Sequence, residues 1–407
     1  MVSGRNQAFP HTDQLKPVFP ARTMHPYSFE EGSHGSGGSP RVLRVSHSAV
    51  VQSWRQRERE MQSQGAVVNL VTAARWNEGG SDIAFDQGND AFAVAARTFG
   101  SHPNFFLYAP GALWRMFSRE WDVLDFHEEP YSLATAELLL MRALRARRVP
   151  YVLYSAQNIA KRFPPPFRLL ERFALRRAAG AYPCNSEAGK IMRQRGLRGA
   201  LFVLPLGVDT SMFVAADRQP PRPELLRLGY VGRLTEAKGV DVLVDAIVTE
   251  RQMALEVVGH GTTANALVAQ VRRLAVADRV RLRGFVAQEH LPEMYREFDV
   301  VVIPSVPKDG WTEQFCRVAV EAMASGVPIV ASRTGALPEV VGTSGLLVTP
   351  GDAGALRLAL RRLHEDPLLW KSLRDDGLAR ANDFAWPKIV ADHLELYRSV
   401  MTGARRG

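Results

Sequence analysis

Glu313 and Glu321 stand eight positions apart in the segment EQFCRVAVEAMASGVPIVAS. Read as a helix that begins just after Glu313, the offset leaves the second carboxylate ~80° of azimuth beyond two full turns. One acid at the helix start and one two turns inside suit hydroxyl recognition at two points of an extended ligand. The helix amides between them suit its phosphates. The plainer alternative is an acid that stabilises the helix dipole plus an incidental internal one. Phe315 and Cys316 lie between the two.

A second constellation is GRLTEAKG, residues 232–239, which joins a strand to a helix. Arg233 and Lys238 there, with free backbone N–H groups, make a pyrophosphate site. Two surface cations in a loop are an equally weighted alternative. Gly259 and His260, in VVGHG, follow another strand. They lack the three-glycine spacing of a dinucleotide fingerprint and read as a tight turn that a ligand can approach. In the first half, WDVLDFHEEP ends in the polar cluster His127–Glu128–Glu129. His127 also reads as a satisfied strand-end histidine.

Such residues need a scaffold that gathers strand ends. The 407-residue chain is too long for one ordinary core and predicts two domains. Its 46% hydrophobic and 23% charged residues exclude a largely disordered or collagen-like chain. Two cysteines exclude a disulfide-stapled scaffold, and Cys184 and Cys316 lack metal-ligand spacing. There is no apolar run of membrane-spanning length and no leader-like N-terminus, which predicts a cytoplasmic protein. Residues 1–40 read as a disordered tail. From Arg41 onward, apolar strands alternate with amphipathic helices, break at the linker DRQPPRP (217–223), and resume. Two series of β-α-β units imply an α/β chain with two parallel sheets. Ligands in such sheets lie beyond the carboxyl ends of the strands. The turns HEEP, GRLTEAKG, GHG, PSVPKDGWTEQF and SRTG are therefore expected around one crevice.

The order and spacing of YVGRLTEAKGVDVLVDAI, VVGHG, EQFCRVAVEAMASGVPIVASRTGALPEVV and GLLVTPGD resemble the retaining glycosyltransferase family 4 of GT-B fold. The likeness spans roughly residues 41–400 and is dense over 226–352. It implies two Rossmann-like domains facing a cleft: an acceptor-side domain over 41–212, and a nucleotide-sugar domain over 213–384. A C-terminal helix, 385–407, would cross back to the first. It further implies that Arg233 and Lys238 hold the donor diphosphate, and that Glu321 binds the ribose. Glu313 and His127 would act at the reacting sugar. Gly259, His260, Phe315 and Cys316 would line the donor site, and Ser46, His47 and Glu128 the acceptor side. Two positions depart from the family. Cys316 stands where relatives have glycine, and SHSA replaces a glycine-rich loop after the first strand.

No Asp-x-Asp pair occurs, so the usual carboxylate clamp for a metal on diphosphate is missing. The expectation is a metal-independent, cofactor-free transferase that uses a nucleotide-sugar and a hydroxyl acceptor on a glycan, lipid-linked or small molecule. The competing readings are another GT-B enzyme (an epimerase or phosphorylase) and a non-catalytic basic binding protein. Residues 130–200 hold 14 Lys and Arg against three Glu, an excess larger than the +9 of the whole chain. No nucleic-acid motif accompanies it. Phe163, Phe167, Leu170 and Phe173 interleave with Arg168, Arg172, Arg176 and Arg177. That reads either as a core stripe with a solvated basic side or as a face for an anionic membrane, the inner leaflet in a cytoplasmic protein.

Overall fold

The computed structural model describes residues 39–78, 81–308 and 310–405; the tail expected over 1–40 lies almost wholly outside them. The first lobe is a seven-stranded sheet. Its strands are β1 (Arg41–Val45), β2 (Val67–Ala73), β3 (Ala93–Ala96), β4 (Val123–Phe126), β5 (Tyr151–Ser155), β6 (Gly180–Pro183) and β7 (Ala200–Leu201). The spatial order is β7-β6-β5-β4-β1-β2-β3, all parallel. The second lobe is a six-stranded sheet of β8 (Leu226–Val231), β9 (Met253–Val258), β10 (Val280–Gly284), β11 (Val300–Ile303), β12 (Ile329–Ser332) and β13 (Gly345–Val348). Its order is β10-β9-β8-β11-β12-β13, again all parallel. Each sheet reverses direction of winding beside its first strand, where doubly wound sheets bind ligands.

Helices cover both faces, which is why these strands read as continuous apolar runs. In β1, Leu43 and Val45 face a core built with α2 (Pro110–Phe117), α3 (Leu133–Arg145) and α4 (Pro165–Arg177). Val42 faces the opposite core with Met61 of α1 (Gln56–Ser63) and with Leu394 and Tyr397 of a long terminal helix, Trp386–Arg405. That helix therefore packs on the first lobe. Both lobes fall within one compact unit.

Several elements differ from their sequence reading. The hairpin Arg75–Glu78/Ser81–Ala84, strand β3 and helix α2 are additional. Of LFVLPLGVD, only Leu201 lies in a strand, as the second residue of the two-residue β7. The helix expected directly after Glu313 starts at Arg317, because Cys316 adopts φ +78° and interrupts helical geometry. Glu313 thus lies four residues ahead of that helix (Arg317–Ala324), and Glu321 just over one turn inside it. The azimuth argument for the two acids does not apply, since 313–316 are not helical.

Candidate active-site cleft

Register sets the first lobe's contribution. Val45 pairs with Phe126, so Ser46-His47 and His127-Glu128 leave the sheet side by side at its switch point. His47 donates through its backbone N–H to Glu128 Oε1 at 2.8 Å, and its Nδ1 lies 2.6 Å from Oε2. The Tyr108 hydroxyl also donates to Glu128, at 2.7 Å. The Ser46 and Ser48 hydroxyls meet at 3.1 Å. His127 stacks on Tyr154 at 3.8 Å between ring centres, and its Nδ1 lies 3.1 Å from the Tyr182 hydroxyl. Burial, followed by the nearby Arg44 and Arg57, holds the His127 imidazole well below its ordinary range. The neighbouring Glu129 accepts from the Ala156 N–H at 2.9 Å and the Ser155 hydroxyl at 2.8 Å. Burial nevertheless pushes its carboxyl up to about 7.

The second lobe places Gly232 and Arg233 beyond β8, and Pro304 and Ser305 beyond its neighbour β11. Arg233 is exposed, and its carbonyl accepts from the Tyr230 hydroxyl at 2.7 Å. Lys238 and Glu313, 75 positions apart, form an ion pair at 2.5 Å. Glu313 also accepts from the Ser305 hydroxyl at 2.6 Å, and Lys238 lies over the Trp311 ring at 4.8 Å. Glu321 accepts from the Tyr295 hydroxyl at 2.9 Å and from Arg317 at 3.4 Å. Gly259 has φ +134°, and a Cβ there would come within 1.9 Å of the Gly232 carbonyl oxygen. Only glycine fits that approach of two strand-end turns. His260 is exposed against Phe285, and Phe315 is buried against Phe384. Cys316 is a non-glycine residue at positive φ, and burial pushes its thiol up to about 12.

A cleft of ≈ 940 Å³ is lined from both lobes. Of the expected residues it takes in Ser46, His47, His127, Glu128 and Arg233. Lys238, Glu313, Glu321, Gly259, His260, Phe315 and Cys316 are absent from its lining, as are the GHG and SRTG turns. Gln314 and Arg317, which do line it, are chain neighbours of that second group. The lobes touch around it. Asn158 donates to the Glu313 carbonyl, and Asn185 to the Gln314 carbonyl, each at 2.7 Å. The N–H and hydroxyl of Ser186, at the head of the helix Ser186–Gln194, donate to Glu339 at 3.0 and 2.8 Å. The Arg317 guanidinium lies over Trp54 of the first lobe at 5.8 Å.

Sequence reasoning missed Trp54, Tyr182, Gln314, Arg317 and His393, which also line the cleft. Arg317 was legible as an arginine adjoining a turn already singled out. The aromatic pair Tyr154 and Tyr182 face each other on β5 and β6 and carry no motif.

Residues 226–366 match the family described as Glycosyl transferases group 1. The MMP alpha-(1->4)-mannosyltransferase of Mycolicibacterium hassiacum is 35% identical over 211 residues, 49% of this chain and 49% of that protein. The chain spans about half the length of the curated relatives it matches. In three dimensions it resembles sucrose-phosphate synthase from Thermosynechococcus elongatus, with a TM-score of 0.68 and 20% identity over 89% of this chain and 100% of that one. It also resembles Anabaena HepE in complex with UDP and glucose, with a TM-score of 0.65 and 19% identity over 88% and 98% of the two chains. At such identities the likeness is one of fold: the two-lobed GT-B arrangement.

Proposed function

We propose that this chain is a retaining glycosyltransferase that moves a sugar from a nucleoside-diphosphate donor to a hydroxyl acceptor without a metal. The observation that carries it is the meeting of two sheet switch points across one cleft, with His127 on one wall and Arg233 on the other. The family match over 226–366 and the fold shared with a protein crystallised with UDP and glucose support the reading.

In this reading the diphosphate lies against Arg233 and Lys238, whose charge meets the leaving group as the bond breaks. Glu313 is held by Lys238 and Ser305 and engages hydroxyls of the transferred sugar; Glu321 engages the ribose. The bond from the anomeric carbon to the phosphate oxygen breaks. The acceptor oxygen bonds to the same face, and its proton passes to the departing phosphate. Turnover with a panel of nucleotide-sugars, followed by assignment of the product's anomeric configuration, tests this. Inverted product sinks retention. No turnover and no thermal shift with any donor sinks the transferase reading, since a ligand at 100 times its Kd adds ~2.7 kcal/mol.

The acceptor, in the same reading, can be lipid-linked and reached from an anionic membrane surface. Phe163, just ahead of the basic helix, stacks on Tyr131, Phe167 packs on the exposed Phe105, and Leu170 packs on the core, so these three are partly covered. That helix and its neighbours supply the outward apolar groups: Leu169 and Phe173 on α4, Trp114 on α2, and Leu140 and Leu144 on α3 are exposed. Arg145 lies over Trp114 and Arg177 over Phe173, which gives wedges flanked by cations. Among the described residues no helix is long and apolar enough to cross a membrane. Co-sedimentation with anionic but not zwitterionic vesicles is the expected result, and equal recovery with both sinks the surface.

A further inference from the structure

Beneath His127 lies a buried polar network on the sheet face covered by α1 and the terminal helix. Asp125, the residue two before His127, is fully buried at the end of β4. Its Oδ1 accepts from the Tyr182 hydroxyl. Its Oδ2 accepts from the Tyr397 hydroxyl at 2.7 Å and from Arg57 Nη2 at 2.9 Å, with Arg44 Nε 3.8 Å away. Two guanidiniums against this carboxylate fix it as an acceptor.

Proton counting then reaches the cleft. A phenol has one hydrogen, and Tyr182 gives it to Asp125. The Tyr182 oxygen therefore meets His127 Nδ1, at 3.1 Å, as the acceptor. Nδ1 must carry the hydrogen. Among the described residues no protein group hydrogen-bonds Nε2, and His127 lines the cleft. The groups facing the ring are the guanidiniums of Arg44 on β1 and Arg57 on α1, then the imidazoles of His47 after β1 and His393 on the terminal helix. The two guanidiniums reinforce burial in keeping the ring neutral.

We propose that Asp125 and Tyr182 are positioning residues that lock His127 in its Nδ1–H tautomer, so that Nε2 faces the cleft as a bare acceptor and recognises a sugar hydroxyl. A fully ionised diphosphate, which offers only acceptors, is refused at this point. The inference rests on the transferase reading for the identity of its ligand, but not for the tautomer. His393 supplies an internal reference. Its Nδ1 faces the Ile389 carbonyl at 2.8 Å and its Nε2 faces Arg57 at 3.0 Å, so it holds the same tautomer by independent contacts.

The test is histidine nitrogen NMR on the full-length protein, with signals assigned by His127→Gln and His393→Gln. Both rings are expected to show a protonated Nδ1 and an unprotonated Nε2. Tyr182→Phe should free the His127 tautomer and leave His393 unchanged. Tyr397→Phe, which removes a donor to the same carboxylate without touching His127, should leave both unchanged. In turnover, Tyr182→Phe is expected to raise one KM by about fivefold. A rise for the nucleotide-sugar assigns the hydroxyl to the donor, and a rise for the acceptor assigns it there. A wild-type His127 protonated on Nε2, or on both nitrogens, overturns the proposal even if no variant folds. So does a Tyr182→Phe protein with an unaltered tautomer. Absence of any nucleotide-sugar turnover would instead sink the transferase reading and leave the tautomer measurement standing.

Discussion

The two walls of the cleft handle charge in opposite ways. On the first lobe, Arg44, Arg57, Glu58 and Asp125 are all at least nine-tenths buried and bound to one another or to Tyr182, Tyr397 and His393. On the second lobe, Arg233 is exposed and Arg317 half-buried in the lining; Lys238, outside the lining, is half-buried too, with Lys238 paired to Glu313 and Arg317 to Glu321. Burial fixes geometry but commits each charge to an internal partner. Partial exposure leaves charge available to a ligand at lower cost of reorganisation. The contrast teaches a division of labour: one wall orients neutral groups, and the other offers cations.

The sharpest way to break this contrast is Asp125→Asn. It removes the Arg57 contact at 2.9 Å and leaves that guanidinium only the Glu58 carboxylate at 3.4 Å, in a buried site where loss of one partner of an ion pair costs ~3–5 kcal/mol. Denaturant unfolding should register that loss; a change under 1 kcal/mol would place the network in water. Next comes pH. Glu129 on the first wall titrates at about 7 in the fold against an ordinary 4.5. A carboxyl with a raised folded pKa binds its proton more tightly when folded. Its contribution to stability is complete below about 4.5 and is lost as pH rises to about 7. Melting temperature should fall across that window, and Glu129→Gln should flatten the slope; an unchanged slope refutes the assignment. Glu137, pushed up to about 7 by burial, adds to the slope in the same direction.

On the other wall, Arg233→Ala is expected to lower kcat/KM by about ten- to a hundredfold, because hydrogen bonds to charged groups contribute ~1.5–3 kcal/mol. Its melting temperature should not move, since the side chain is exposed. Coupled losses of stability and rate would erase the distinction between the walls. The smallest effect belongs to neither. Ala275 has φ +52°, and Ala275→Gly should raise stability by about 1 kcal/mol with unchanged turnover.

The alternation of strands and helices was readable because strands covered on both faces are apolar runs. The position of strand-end turns followed from that alternation. What escaped were elements with little pattern: β3 is Ala93–Ala96, with one branched residue, and α2 is eight residues long. The start of the helix at Arg317 escaped because it depends on the backbone angle of Cys316. The first-wall network escaped for another reason. Arg44, Asp125, Tyr182 and Tyr397 are scattered in the chain and are joined only by sheet register and by the terminal helix. Arg44 and Asp125 are direct cross-strand partners, a relation that no local window contains. By contrast Arg233 and His127, which do line the cleft, stand in short polar turns whose neighbours are apolar strands.

Tyr397 lies 272 residues beyond Asp125, whose buried oxygen it satisfies. During synthesis the first lobe therefore emerges from the ribosome long before this partner exists. Its polar centre must wait, wet and unfinished, while the whole second lobe is made. Closing so long a loop is slow in sequence-distance terms, even though its entropy grows only logarithmically. Trimming into the helix Trp386–Arg405 should therefore destabilise the first lobe, whose sheet face and buried carboxylate that helix covers.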